Sequence, residues 1–142
     1  TSRTGSVAEL AVASKLVELG FTVSWPLNTD TYDLIAEKDG SVKRIQVKTA
    51  NMSKHRSYRC SLSHGAGKLR RAYEKKDCDF LILFLPYSRD YPDISMDGYY
   101  IIPVSAVNNN SLSAAVLFPA GKGRGNIMVC KWEKYKDGWK SI

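Results

Sequence analysis

The chain has 142 residues, 44% of them hydrophobic and 25% charged, which suits one globular domain with its own core. Its formal net charge of +7 points to an acidic polymer as partner, most simply nucleic acid. No apolar run approaches the ~20 residues needed to span a bilayer, no signal peptide is visible, and Cys60, Cys78 and Cys130 form no CxxC pair; this argues against a disulfide framework or a zinc site and suits an intracellular, cytoplasmic or nucleoid setting.

Residues 4–19 read as a helix closed by Gly20. Leu10, Val12, Ala13, Leu16, Val17 and Leu19 share a face at helical spacing, and Glu9 falls in the middle of it. A carboxylate there needs a partner. Two readings are open: a capping box over Ser6-Val7-Ala8-Glu9, or a metal ligand leaning out of the helix.

Residues 21–25 predict a short strand stopped by Pro26, followed by a polar loop that contains Asp30. Residues 32–48 then predict two strands about Asp39-Gly40, a dipeptide suited to a type I′ turn because both central residues need positive φ. With that turn, Lys38 pairs with Ser41 and Asp33 stands opposite Gln46. Lys48 lies two residues further on the same face, while Ile45 and Val47 face the core. A carboxylate, an amide and an amine thus gather in one patch. An ordinary surface ion pair between Asp33 and Lys48 is the bland alternative.

Beyond the hairpin, Lys54, His55, Arg56 and Arg59 suit phosphate contact, or simply a solvated basic loop. Residues 58–62 predict a strand. A helix is expected from about Lys68, with Leu69, Ala72 and Tyr73 on one face and Lys68, Arg71 and Lys75 on another, candidate contacts to a DNA backbone or an ordinary solvent face. Residues 79–85 form the most apolar run and predict a central strand buried on both faces, with Asp77 and Asp79 serving its entry. Another strand is expected up to Pro103, then short strands over residues 114–118 and 127–132. The segment Gly121-Lys122-Gly123-Arg124-Gly125 is cationic but lacks the ending of a P-loop; Lys122 and Arg124 are candidate DNA contacts, though a plain hairpin connection also fits. The tail interleaves Lys131, Lys134, Lys136 and Lys140 with Trp132, Tyr135 and Trp139, a pattern of nucleic-acid surfaces and subunit edges alike.

Asp33 preceded by Tyr32, with Gln46-Val47-Lys48 on the next strand, resembles the motif of the PD-(D/E)XK nucleases. Tyr32 departs from the proline of that name, and Gln46 stands where a second acidic residue is usual. The order helix with Glu9, strand, Asp33 strand, Gln46-x-Lys48 strand, helix, strand is similar to the family's αβββαβ core over about residues 5–103. The rest would be a β-rich extension of the same domain. The strands around Asp33 and Lys48, the Asp77-Cys78-Asp79-Phe80 entry and Tyr99-Tyr100-Ile101-Ile102-Pro103 look most like the group I intron homing endonucleases built on this core, some of which carry glutamine at the position of Gln46. Replacement of an original glutamate is the other reading of Gln46. The resemblance implies an α/β restriction-endonuclease-like fold, with a mixed sheet flanked by helices. It implies a Mg²⁺-dependent, site-specific double-strand DNA endonuclease for which Mn²⁺ would substitute, acting as a homo-oligomer, dimer or tetramer. Asp33, Gln46, the Val47 carbonyl and Glu9 would hold the metal, and Lys48 would act on the attacking water and the phosphate. A Holliday junction resolvase and a catalytically dead DNA-binding module on the same fold are the alternatives.

Overall fold

The computed structural model describes residues 2–52, 57–90, 98–107 and 132–142, together with the backbone of residues 115–117. Helix α1 (Arg3–Glu18) is followed by β1 (Thr22–Ser24), β2 (Leu34–Lys38) and β3 (Ser41–Thr49). Next come β4 (Asn51–Met52), β5 (Tyr58–Cys60), β6 (Ser63–His64), β7 (Arg71–Ala72), β8 (Phe80–Leu85), β9 (Gly98–Pro103) and β10 (Ala115–Leu117). The main sheet has the order β1-β2-β3-β8-β9 and is antiparallel except for the parallel pair β3–β8. Two ribbons, β10-β5-β4 and β6-β7, lie beside it. This is the mixed α/β architecture expected. No helix among the described residues is long and apolar enough to cross a membrane.

The hairpin turn forms as its dipeptide demands. Asp39 and Gly40 have φ of 52° and 79°, and Lys38 pairs with Ser41. Every residue of β8 is buried, as its unbroken apolar run requires of a strand covered on both faces. Its parallel register against β3 is locked at the entry, where the Asp79 amide donates to the Arg44 carbonyl and the Asp79 carboxylate accepts from the Arg44 amide at 2.8 Å. Arg44 also donates to the carbonyls of Lys75 and Lys76, so Asp77 and Asp79 serve strand entry.

The two faces of the sheet have separate cores. Ala8, Val12, Ala13 and Leu16 of α1 pack on Leu34, Ala36, Ile45, Val47, Phe80 and Ile82. The opposite core holds Tyr58, Cys60, Leu62, Tyr73, Cys78, Leu81, Leu83 and Tyr100. The helix is rotated from the sequence expectation: Leu10 and Val17 are exposed, and the small Ala8 and Ala13 point inward, which lets the helix lie close on the sheet. Its cap is also different. Ser2 caps α1, its Oγ accepting the Gly5 amide at 3.1 Å, so Ser6 lies inside the helix and the Ser6–Glu9 capping box does not form.

The helix expected from Lys68 is absent. Residues 67–69 make a single 3-10 turn and Arg71–Ala72 is a strand, so Lys68, Arg71 and Lys75 do not share a helical face. The β6–β7 turn needs glycine: Gly65 has φ +82°, and a Cβ there would lie 2.9 Å from the Leu69 carbonyl oxygen. The tail aromatics are divided between core and surface, with Tyr135 and Trp139 partly buried. Trp132 is buried in the second core, and Trp139 packs edge-on against Tyr99 at 5.1 Å. The strand expected over residues 127–132 lies outside the described residues, save Trp132.

Candidate active site

The site lies where the β2–β3 hairpin opens. Pairing runs from Lys38↔Ser41 to Leu34↔Ile45 and then breaks. The Asp33 amide donates at 2.8 Å to the carbonyl of Ile45, the residue Leu34 already opposes, so two residues meet one, as in a bulge. Asp33 therefore does not stand squarely opposite Gln46. Its carboxylate turns along β3 and accepts the Val47 amide at 2.9 Å. A side chain takes the backbone donor that a longer β2 would have satisfied.

Gln46 and Lys48 project from the face opposite α1, in line with the alternation of β3. The Gln46 Nε2 donates to the Val47 carbonyl at 3.3 Å, so the amide lies against the backbone oxygen that the resemblance singles out as a ligand. Lys48 is half-buried. Its Nζ donates to the Ser63 carbonyl at 3.3 Å and sits 5.2 Å from the centroid of the Tyr73 ring, rather than pairing with Asp33. The simple surface ion pair is therefore not what forms. Glu9 projects from the same arc of α1 as Ala13 and Leu16, near Trp25 and close enough to Asp33 for the two carboxylates to repel.

Each of these charges is held uncomfortably. Burial pushes the Asp33 carboxyl above its usual range, against the pull of the Val47 amide and of Lys48. Burial, then the negative charge of Asp33, raises Glu9, with the Trp25 side chain opposing. Burial lowers Lys48, and Asp33 partly restores it. Charges that oppose their own solvation cluster at functional sites.

The predicted DNA contacts fare unevenly. Arg59 and Lys68 are exposed. Arg71 is committed to a bidentate pair with buried Asp77, at 2.6 and 2.9 Å, and the same carboxylate accepts the Glu74 amide. Lys75 pairs with Asp79. Arg71 is thus a brace of the 71–77 loop. Lys54, His55, Arg56, Lys122 and Arg124 lie outside the described residues. Reasoning from sequence missed Ser63 and Tyr73, the two groups that hold Lys48. The alternation around His64-Gly65 was the available signal, and it was outweighed by the helical spacing of the lysines and arginines that follow.

A mixed sheet opened at one hairpin, with an aspartate folded onto the backbone of the neighbouring strand and a lysine next along that strand, defines a nuclease fold of PD-(D/E)XK type. The family model described as PD-(D/E)XK endonuclease matches residues 1–120, and the chain belongs to that family. Protein 5.3 of Escherichia phage T7 is 35% identical over 88 residues, which are 61% of this chain and 73% of that protein. Among solved structures, the bacterial homing endonuclease I-Ssp6803I matches with a TM-score of 0.77 and 21% identity, covering 98% of this chain and 90% of that one, a likeness of fold.

Proposed function

We propose that the protein is a Mg²⁺-dependent, site-specific double-strand DNA endonuclease of homing type, acting as a homo-oligomer. The observation that carries this reading is the Asp33 carboxylate folded onto the Val47 amide, with Lys48 one residue along the same strand. The net charge of +7 and the family membership support DNA as substrate. The described residues form one such site, so cutting both strands calls for at least two copies on a pseudosymmetric target.

The donors fit a hard divalent cation. Among the described residues no three His, Cys, Asp or Glu side chains converge. An ion here would rest on the Asp33 carboxylate, the Val47 carbonyl, the Gln46 amide oxygen after a flip of the amide, and Glu9, all of them oxygen ligands. A cation would also relieve the repulsion between Asp33 and Glu9. When bound, Mg²⁺ supplies charge neutralisation at the phosphate and a more acidic water. Lys48 Nζ then orients the attacking water and stabilises the charge that builds on the phosphate oxygens; burial lowers its proton affinity, which makes it a readier proton donor. With an amide in place of the second carboxylate, metal binding is weak until a DNA phosphate completes the shell. Tight Mg²⁺ binding to the free protein in calorimetry would contradict this.

Gln46 also favours a second reading, a DNA-binding module that no longer cuts. Incubation with Mg²⁺ or Mn²⁺ and long genomic DNA separates them. Discrete fragments support the site-specific enzyme and a smear an unspecific one. Retained binding without cutting supports the module. Preference for four-way junctions over linear duplex would instead indicate a resolvase.

A further inference from the structure

Where the sequence predicts a helix from about Lys68, the chain instead returns as β7 to pair with β6 in a small ribbon. Its geometry gives it a task. Ser63 pairs with Ala72, and His64 with Arg71, so Tyr73 follows directly on the strand that faces Ser63. The ribbon thereby offers two groups to Lys48: the Ser63 carbonyl at 3.3 Å and the Tyr73 ring face, centroid at 5.2 Å. The His64 ring meets Tyr73 edge-on at 5.4 Å and backs it. Tyr73 is buried, and the loop after it is braced by the Arg71–Asp77 pair. That loop is tied to the approach to Asp33 as well, since the Thr31 hydroxyl donates to the Asp77 carbonyl at 3.1 Å.

We propose that Tyr73 is a positioning residue for Lys48: its ring face and the Ser63 carbonyl hold the ammonium beside the hairpin opening. A lysine side chain has four rotatable bonds and loses much freedom when ordered. A half-buried ammonium with one carbonyl partner would swing toward solvent or collapse onto Asp33. The ring face attracts the cation without offering a proton acceptor, so it holds Lys48 in place and leaves its remaining N–H donors free for water and phosphate. A carboxylate in the same place would hold the ammonium more tightly and occupy those donors. The structural alternative is that Tyr73 merely fills the core, in which case any hydrophobe of similar size would serve.

The proposal rests on the endonuclease reading, and the experiment keeps the two apart. Three proteins are compared, wild type, Tyr73→Phe and Tyr73→Leu. Each is measured for single-turnover cleavage with Mg²⁺, for DNA affinity without divalent metal, and for the proton shifts of the Lys48 ε-methylene by NMR. The ring should shift those protons upfield in wild type and Tyr73→Phe, and the shift should vanish in Tyr73→Leu. Cleavage should stay near the wild-type rate in Tyr73→Phe and fall by about 10²-fold in Tyr73→Leu, as a misplaced catalytic group implies, with DNA affinity unchanged. Lys48 methylene protons without an upfield shift in wild type would overturn the proposal, as would full cleavage by Tyr73→Leu. Should Tyr73→Leu fail to fold, Tyr73→Trp, which keeps a ring face, and Tyr73→Met, which does not, replace the pair. A wild-type protein that shows the shift but cuts no DNA removes the endonuclease reading and leaves the ring–ammonium contact standing.

Discussion

The two ends of the β2–β3 hairpin use the same two strands and are built on opposite principles. At the turn, pairing is regular from Lys38↔Ser41 onward, Asp39 and Gly40 adopt the positive φ their turn requires, and the side chains around the turn are largely in water. At the open end the ladder stops early. The Val47 amide is taken by a side chain, and Asp33, Glu9 and Lys48 all sit where burial disfavours their charged forms. The turn end secures register. The open end gives up stability to hold charged groups out of bulk water, a trade common at functional sites.

Substitutions at each end sharpen the contrast. The largest effect should come from Lys48→Ala, which should lower single-turnover cleavage by about 10³-fold while DNA binding and the circular dichroism spectrum stay as in wild type. Full activity in that variant would remove the assignment. Next, Asp33→Asn should likewise abolish cleavage, yet raise the thermal midpoint of the metal-free protein near pH 7 by roughly 2–4 °C. The sign follows from linkage. The folded pKa of Asp33 is raised, so its contribution to stability is present below the unfolded value and lost as pH rises through the folded one. At neutral pH the ionised side chain therefore costs stability, and asparagine removes that cost while keeping an oxygen for the Val47 amide. A lower midpoint would show that the carboxylate is a structural group.

At the turn, Gly40→Ala should act the other way. A side chain at φ 79° costs about 1 kcal/mol, hence roughly 3 °C in thermal midpoint, and the cleavage rate per folded molecule should not change. The smallest effect should appear in acid. Asp77, held at about 2 by the Arg71 guanidinium, contributes stability that is present above its unfolded pKa and lost as pH falls through about 2. Acid titration of Arg71→Met should lack that part of the loss between pH 4 and 2. Strong loss of DNA binding in the same variant would restore Arg71 as a phosphate contact.

Much of this was legible beforehand because it depends on short-range rules. Asp39-Gly40 dictates its turn, the turn dictates register, and register with alternation puts Gln46 and Lys48 on one face. The buried run of β8 and the helix ended by Gly20 are equally local. The failures share a cause. Lys68, Arg71 and Lys75 have helical spacing, but Gly65, Gly67 and the Arg71–Asp77 pair impose a ribbon instead. Leu10 and Val17 outrank alanine in hydrophobicity, but close approach to the sheet leaves them exposed and buries Ala8. The aromatics of the tail look like a nucleic-acid surface until Trp132 is seen inside the core and Trp139 packed, partly buried, against it.

By itself, then, the order of residues determined that the two strands of the hairpin pair, where the hairpin turns, and that an aspartate and a lysine lie near each other at its far end, since neighbours in a ladder follow from counting. Only the tertiary structure decided that the ladder breaks at Leu34, that Asp33 answers to the Val47 amide, and that Lys48 rests on Ser63 and Tyr73. Those outcomes turn on how distant segments compete for the same backbone donor and the same buried space, and that competition is settled only when the whole chain is packed.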